Sequence, residues 1–394
     1  KSIWSLACRS DEHMIATGGG DSAIRLWLVK NEIENTKEEQ HLLSSIPSQQ
    51  EITPQIGEQI PRMIGLLHDT SVLVMTDKGN LYRFQWYQNE SDASGKWSLI
   101  RHEPEYSSYS IMALSDCRTI VALGNISGSI KLVSLTDIAW RSLENKPYAD
   151  KVLSLHWLKG EHDSFFNLFS CGLEGLVIWW TVQCLKTSQS FSCEVKANFR
   201  LPYCRQRWPN SVYLVTRDII CTEPNASLVL CGDRRGSLHV FKDIAENEPV
   251  DPVQSLIGIH GRNGVTSICS NSGYIYTTGR DGYIRQYKLS GENLELLDKK
   301  KVYKGMEWID WVNFTSGGEI LVLGFHTVDF IIWSMTRNEV LFRIPCGGGH
   351  RNWDILYTTT NHGLIFTYLK QSTVHVHTWA EAKKQSPSII QERN

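Results

Sequence analysis

The sequence lacks the short motifs by which many enzymes and metalloproteins are recognised. Its ten cysteines include no CxxC pair, which excludes a zinc ribbon and a thioredoxin-type redox site. It has no GxxxxGK(S/T) phosphate-binding loop, no GxSxG nucleophile turn and no HExxH metal motif. No apolar run approaches the roughly 20 residues that a membrane-spanning helix needs. We therefore predict a protein with no catalytic residues, no metal ion and no membrane contact.

The chain also lacks a net charge of either sign. Its 40 Lys and Arg against 42 Asp and Glu give a formal charge of −2, which excludes a uniformly basic nucleic-acid coat but not a local basic patch. Most of the cysteines stand in apolar, strand-like runs, so we interpret them as free thiols of a reducing compartment and predict a cytoplasmic location. Their even number leaves disulfides as the alternative.

What the sequence does have is aromatic residues and an internal repeat. With 14 Trp and 14 Tyr, the composition favours strands. One pattern recurs eight times: an apolar run, a turn that usually contains glycine, and an alternating strand that usually ends in an aromatic residue. The copies are residues 15–27, 72–84, 120–133, 168–180, 228–241, 274–287, 320–333 and 364–377. Five of the seven spacings between their ends are 44–49 residues, near the period of a four-stranded propeller blade.

This repeat predicts an all-β fold with a seven-bladed β-propeller. We expect residues 1–28 to be the terminal part of a preceding propeller and residues 29–55, which are polar and charged, to be a linker. Residues 56–385 then form the propeller of about seven blades, and residues 386–394 are a tail toward a further domain.

Loops of the second half of the chain concentrate positive charge. In a propeller, the turn between the second and third strands and the loop that leads into each blade lie on one face. Those loops hold the residues that we call the basic rim: Arg205, Arg207, Trp208, Arg234, Arg235, Arg262, Arg280, His350 and Arg351. Guanidinium groups bind phosphates and aromatic rings stack on unpaired bases, so the basic rim predicts an RNA-binding surface. An acidic protein surface is the alternative partner, and individual arginines could instead pair with neighbouring blades.

The repeat resembles the WD family. That family uses a His before the blade, an Asp in the tight turn and a terminal aromatic residue in a buried hydrogen-bond network. By this resemblance His260 and Asp281 are structural network members in the copy at 274–287, where Tyr287 replaces Trp. Asp21 and Trp27 have the same places in the first copy. Other copies carry Lys78, Ser127, Glu174 or Arg235 at the turn position.

Several longer stretches are more specific than the repeat. They are GGGDSAIRLW (18–27), QRW (206–208), CGDRRGS (231–237), GVTS (264–267), YTTGRDG (276–282), GMEW (305–308), LGFH (323–326) and CGGGHRNW (346–353). In order and spacing they resemble the WD repeat-containing protein six family, the non-catalytic adaptor subunits of a tRNA wobble-nucleotide 2′-O-ribose methyltransferase. The resemblance implies two partners: tRNA and an FtsJ-type methyltransferase that holds S-adenosylmethionine. It implies no cofactor bound to this chain itself.

The resemblance gives a role in RNA or partner contact to Arg207, Arg234, Arg235, Arg280, His350 and Arg351. Two other functions stay open from the residues alone. The first is a protein scaffold, such as the substrate receptor of a cullin-type ubiquitin ligase. Those receptors carry Trp-Asp-x-Arg at a blade end, and the nearest string here, Trp333 to Arg337, lacks the Asp and has a different spacing. The second is an enzyme in its own right, for which the sequence offers no motif.

Overall fold

The computed structural model describes strands at residues 3–9, 14–19, 24–28 and 48–52, for which only the backbone is considered, most of residues 59–357, and strands at 363–370 and 373–380. Between residues 59 and 357 the description leaves out 69, 87–94, 108, 137–138, 161–163, 186, 216–226, 244–247, 262–263 and 316–317.

Contacts divide the chain into two compact units. The first comprises Lys1–Ser48, Thr359–Gly363 and Thr378–Asn394, and the second comprises Gln49–Thr358 and Leu364–His377. In the first unit, three strands form an antiparallel sheet: β1 (Ile3–Arg9), β2 (Met14–Gly19) and β3 (Ile24–Leu28). Their assignment to a preceding propeller stays a prediction, as do the other predicted domain boundaries.

The second unit consists of seven four-stranded sheets, which we number as blades. Blades 1 to 3 contain β5 (Pro61–His68), β6 (Ser71–Thr76), β7 (Asn80–Trp86) and β8 (Gly95–His102); β9 (Ile111–Leu114), β10 (Ile120–Gly124), β11 (Ile130–Ser134) and β12 (Leu143–Asn145); and β13 (Val152–Lys159), β14 (Phe165–Gly172), β15 (Leu176–Leu185) and β16 (Ser190–Arg200). Each of these blades is an antiparallel meander in sequence order, in which every strand pairs with the next.

Blades 4 to 6 repeat this order. They contain β17 (Pro209–Val215), β18 (Leu228–Asp233), β19 (Leu238–Lys242) and β20 (Gln254–Leu256); β21 (Val265–Asn271), β22 (Tyr274–Gly279), β23 (Tyr283–Ser290) and β24 (Asn293–Lys301); and β25 (Trp308–Phe314), β26 (Ile320–His326), β27 (Asp329–Ser334) and β28 (Glu339–Pro345). Blade 7 differs because its three strands β29 (Trp353–Tyr357), β30 (Gly363–Lys370) and β31 (Thr373–Ala380) are followed in the sheet by β4 (Ser48–Ile52) from the other end of the sequence.

The seven sheets form a seven-bladed β-propeller, as predicted. Each of the eight sequence copies is a hairpin made by the second and third strands of a sheet, from β2 and β3 to β30 and β31. Of the range predicted as a linker, residues 29–55, the structure describes residues 48–52, and it places them in a strand of blade 7. Among the described residues the one helix is a 3₁₀ turn at Pro104–Tyr106, and no helix is long and apolar enough to cross a membrane.

Apolar side chains fill the spaces between consecutive blades. Trp157 and Trp180 of blade 3 pack in one buried cluster with Ile120 and Leu132 of blade 2. Between the last and first blades, Ile365 of blade 7 lies in a cluster that also holds strands of blade 1, so the ring is closed by the same kind of contact. Burial of both faces explains why second strands such as β6, β10 and β18 are near-continuous apolar runs instead of an alternation.

The cysteines are single thiols wherever the structure describes them. Eight of the ten are described, and all eight are free. Burial raises the pKa of Cys171 and Cys231 well above the usual range, and it raises the pKa of Cys269 to about 12. A thiol needs to ionise to react, so these groups are packing residues.

Glycines at the tight turns fix which loops lie side by side. The turn between the second and third strands of blades 1 to 5 ends in a glycine of positive φ, between 75° and 89°. In blade 4, a Cβ at Gly236 would collide with the carbonyl oxygen of Gly261 in the loop that leads into blade 5. The backbone N–H of His260 in that loop donates to the carbonyl of Gly236 at 3.0 Å. Each tight turn therefore lies beside the loop that follows its own blade, on one face of the propeller.

Candidate RNA-binding surface

The described residues of the basic rim lie on this one face. Arg234 and Arg235 are in the tight turn of blade 4 and Arg280 is in that of blade 5. The other described members are in the loops that lead into blades 4 and 7: Arg205, Arg207, Trp208, His350 and Arg351. Arg262 lies outside the described residues. The shared face is the arrangement that the repeat predicted.

An aromatic stack joins blades 5, 6 and 7. The guanidinium carbon of Arg280 lies 3.5 Å from the ring centre of Trp308, close enough for a cation–π interaction. The ring of Trp308 meets the exposed imidazole of His350 edge to face, with 4.9 Å between ring centres. Trp308 also packs against Phe325, which in turn contacts Trp353 of blade 7. The stack holds a guanidinium and an imidazole in fixed positions at the surface.

Arg280 is held in an unusual electrostatic environment. Burial, together with the positive charge of Arg234, lowers its pKa to about 10, and the carboxylate of Asp310 opposes the shift. Its Nε atom is buried and has no hydrogen-bond partner in the described part of the chain. A buried donor without an acceptor costs free energy, and an anionic ligand would supply the missing acceptor.

Asp310 is an acidic group near Arg280 that no sequence pattern indicated. It lies in the inner strand β25, at a register irregularity between Ile309 and Trp311, and its Oδ1 accepts a hydrogen bond from the Trp308 indole at 3.2 Å. Burial raises the pKa of Asp310 to about 6, although that hydrogen bond and the charge of Arg280 oppose the shift. No motif marks Asp310, because a β-bulge that turns one side chain aside has no fixed sequence pattern.

A second group of rim residues lies in the loop between β16 and β17. The side chain of Arg207 passes over Gly175, where a Cβ would lie 2.6 Å from its Nε, and its guanidinium carbon is 5.4 Å from the ring centre of Tyr203. Tyr203 itself is 91% exposed. Arg205 is exposed and Trp208 is half-buried against the core between blades 3 and 4. Tyr203 was missed because a single exposed Tyr in a loop has no sequence signature.

The remaining arginines of the basic rim have distinct surroundings. Arg235 is half-buried, and its backbone N–H donates to Asp233 Oδ1 at 2.8 Å. Arg351 is exposed, and its side chain lies against Gly347. Arg234 donates its backbone N–H to the carbonyl of Trp208 at 3.1 Å, which ties the turn of blade 4 to the loop containing Arg205 and Arg207.

The structure shows the His260 and Asp281 part of the predicted hydrogen-bond network of blade 5, whereas the hydroxyl of Tyr287, its predicted aromatic member, is not hydrogen-bonded to either. The ring of His260 contacts Asp281 Oδ1 through Nδ1 at 2.9 Å and Thr277 Oγ1 through Nε2 at 2.8 Å, and Arg285 pairs with the same carboxylate at 2.9 Å. Burial alone would raise the pKa of Asp281, but the hydrogen bonds and charges of His260 and Arg285 outweigh it and lower the pKa to about 2. His260 and Asp281 therefore hold the turn that carries Arg280.

The first copy of the repeat cannot be compared in the same way, since Asp21 and the Trp27 side chain lie outside the described residues. Blade 4 has Arg235 at the turn position where blade 5 has an Asp, and a different carboxylate stabilises its turn. Asp233, two residues before Arg235, accepts hydrogen bonds from the backbone of Arg235 and Ser237, and its other oxygen lies 3.3 Å from the ring of His239. The substituted turn is thus still held by a carboxylate.

A cavity of about 250 Å³ opens beside the basic rim. It is formed by the inner strands of blades 2, 3 and 4, and its lining includes Met112, Leu153, Ser154, His156, Trp208 and Asn210. Ser154 Oγ is buried and has no hydrogen-bond partner in the described part of the chain. Among the described residues, no group of three or more His, Cys, Asp and Glu side chains is arranged to hold a metal ion.

Six four-stranded meanders and a seventh sheet completed by β4 form a seven-bladed β-propeller whose tight turns and incoming loops share one face. The family model described as "WD domain, G-beta repeat" matches residues 1–27. The crystal structure of the WD40 β-propeller domain of Doa1 superposes with a TM-score of 0.53 at 12% identity, covering 87% of this chain and 100% of that one. At that identity the likeness shows the fold alone.

The chain is also similar in sequence to curated relatives of one kind. The chain is 27% identical over 411 residues to the tRNA (34-2′-O)-methyltransferase regulator WDR6 of Mus musculus and 26% identical over 413 residues to that of Homo sapiens. Both alignments cover 96% of this chain and 34% of the relative, so the chain spans about a third of their length. The WDR6 of Drosophila melanogaster matches at 21% over 194 residues, 48% of this chain and 18% of the relative. The resemblance predicted from the sequence is confirmed.

Proposed function

We propose that this chain is part of a non-catalytic WD-repeat adaptor. In this proposal it binds tRNA and an FtsJ-type methyltransferase in the cytoplasm and directs 2′-O-ribose methylation of the wobble nucleotide. The methyltransferase holds S-adenosylmethionine, and this chain binds no cofactor itself. The relatives support the regulatory part of the proposal, because each is named a regulator of a tRNA (34-2′-O)-methyltransferase. The loop face of the propeller supports the adaptor role, because charged side chains held on a rigid scaffold can position an RNA without catalytic groups of their own.

One observation carries the RNA part of the proposal. Arg234, Arg280, Trp308 and His350 form a chain of contacts and charge interactions across blades 4 to 7. Guanidinium groups contact phosphates whatever the base sequence, so such a surface positions an RNA without reading it. A methyltransferase gains rate from a substrate held in a fixed orientation, which is what an adaptor of this kind supplies.

The same face carries a second surface suited to a protein. Tyr109, Ile126 and Leu173, from the tight turns and incoming loops of blades 2 and 3, are between 56% and 78% exposed, and we call them the apolar surface. Exposed apolar patches mark interaction sites, protein–protein contacts among them. We assign the methyltransferase to the apolar surface and the tRNA to the basic rim.

Charge reversal tests the RNA part. We expect the double variant Arg234→Glu with Arg235→Glu, in the full-length protein, to bind tRNA at least tenfold more weakly. The plot of log affinity against log salt concentration should become less steep by roughly two units, because each lost phosphate contact removes about 0.9. Lys96→Glu with Lys370→Glu changes the net charge equally at exposed sites outside the basic rim and should have little effect. Equal affinities of the two variants in a gel shift would reject the basic rim as the RNA site.

Two apolar-to-acidic changes test the enzyme part. We expect Ile126→Asp with Leu173→Asp to reduce capture of a purified FtsJ-type methyltransferase and to slow methyl transfer to tRNA in a reconstituted assay, while tRNA affinity is unchanged. Leu296→Asp with Leu297→Asp, at exposed positions of the outer strand β24, is the matched control. Capture of cullin-ligase adaptors without a methyltransferase would favour the scaffold function instead.

A further inference from the structure

We propose that the cavity formed by the inner strands of blades 2 to 4 binds one unpaired nucleobase of the RNA that the basic rim holds. The proposal rests on the proposed function, and it adds the class of group that the surface recognises. Three features of the cavity support it: the size of the cavity, the polar atoms of the cavity wall, and the position of the cavity beside arginines of the basic rim.

The size suits one planar group. Pockets for whole small-molecule ligands are typically about 300–1,000 Å³, and this one is about 250 Å³. Its wall combines an aromatic residue, Trp208, with the aliphatic side chains of Met112 and Leu153. Proteins hold unpaired bases by stacking them on such side chains.

The polar part of the wall can meet the edge of a base. Ser154 Oγ is buried without a hydrogen-bond partner in the described part of the chain, although a hydroxyl both donates and accepts. Asn210, whose side chain carries an amide donor and acceptor, is among the residues that line the same cavity. The Nε2 of His156 lies 3.1 Å from the carbonyl oxygen of Pro209, which fixes the imidazole at the wall. Mixed donors and acceptors are the arrangement that base edges require.

The cavity is continuous with the basic rim. A Cβ at Gly264 would lie 2.5 Å from Asn210 Nδ2 and 3.5 Å from a terminal nitrogen of Arg234, so these two side chains approach the same point. Trp208 accepts the backbone N–H of Arg234 and follows Arg207 in sequence. The described lining contains no Asp or Glu that would repel a phosphate. A backbone bound by Arg207 and Arg234 would therefore present a base at the opening, which favours RNA over a peptide side chain.

The test compares single-stranded RNAs that differ at one position. Full-length protein is titrated with a short RNA that carries a central 2-aminopurine and with the same RNA carrying an abasic nucleotide there. We expect the abasic RNA to bind roughly tenfold more weakly, the scale of one stacked base. We also expect the 2-aminopurine fluorescence to be quenched in the wild-type complex.

A variant pair assigns the effect to the cavity. Asn210→Leu should bring the ratio of the two affinities close to one and leave the salt dependence unchanged, whereas Asn313→Leu, a half-buried Asn of another inner strand, should keep the wild-type ratio. Salt-dependent binding with equal affinity for both RNAs would overturn the base site and leave the proposed function standing. Absence of RNA binding by the wild-type protein would overturn both. Loss of a peptide ligand from Asn210→Leu with unchanged RNA ratios would identify the cavity as a peptide site and overturn the proposal.

Discussion

Asp310 is a side chain whose charge acts on Arg280 of the basic rim. Burial raises the pKa of its carboxyl group to about 6, and the carboxylate interacts with the positive charge of Arg280. Above pH 6 its carboxylate offsets part of the positive charge, and below pH 6 it takes up a proton and that offset disappears. The folded state binds this proton more tightly than the unfolded state does, so ionisation of Asp310 lowers the free energy of unfolding. This loss of stability is fully present above the pKa of the folded state and is absent below the unfolded pKa of 3.8.

Asp310→Asn separates these effects. We expect the variant to bind RNA more tightly than the wild type at pH 7 and to lose part of the rise in affinity between pH 7 and pH 5. We also expect a gain of about 1–2 kcal/mol in the free energy of unfolding at pH 7, because the buried charge is removed while an acceptor for the Trp308 indole remains. Anisotropy titrations and urea melts at both pH values measure this. His350→Gln is the control for the neighbouring imidazole, and an unchanged pH profile in Asp310→Asn would contradict the assignment.

At the scale of one structural element, the tight turn of blade 4 decides where Arg234 and Arg235 lie. Gly236 has φ +79° and faces the loop that leads into blade 5, whereas Gly273, with φ +81°, has open space around its Cα. The two glycines therefore share a backbone conformation and differ in crowding, which makes them a matched pair.

Alanine at each position measures the two costs separately. Gly273→Ala should lower the free energy of unfolding by about 1 kcal/mol, the cost of the left-handed backbone alone. Gly236→Ala should lower it by more, about 2–4 kcal/mol, and should weaken RNA binding because the turn must move away from the carbonyl of Gly261. Urea melts of both variants give the comparison. Equal losses would mean that the loop yields at no cost and that the turn does not depend on it.

The strands also differ in how well the sequence alone predicts them. The eight hairpins were predictable because a glycine turn between an apolar run and an alternating strand is a local signal. The outer strands were not, since β12 and β20 are three residues each and lack a pattern of their own. The shared face of the basic rim followed from blade topology. The contacts of Arg280 with Trp308 and the charge of Asp310 did not, because they depend on side-chain directions that only the packed blades determine.

For the propeller as a whole, the closing strand is the feature that a local pattern could not reveal. β4 is polar and stands far in sequence from β31, beside which it lies in blade 7. Its place is specified by the unpaired edge that three strands of blade 7 would otherwise expose, and a free strand edge invites pairing with other chains. Two features therefore close the ring: the pairing of β4 with β31 and the apolar contact between blades 7 and 1.

Proline substitution in β4 tests this closure. In an outer strand, backbone N–H groups point alternately toward and away from the neighbouring strand, so of two adjacent residues one N–H bonds to the sheet. We therefore expect Gln49→Pro and Gln50→Pro to differ: one should lower the urea midpoint strongly and promote aggregation, and the other should have a smaller effect. Melts followed by tryptophan fluorescence and light scattering measure both. Two equally small effects would show that β4 does not close the ring. A large effect of one variant would show that the stability of the whole propeller depends on the five residues of β4.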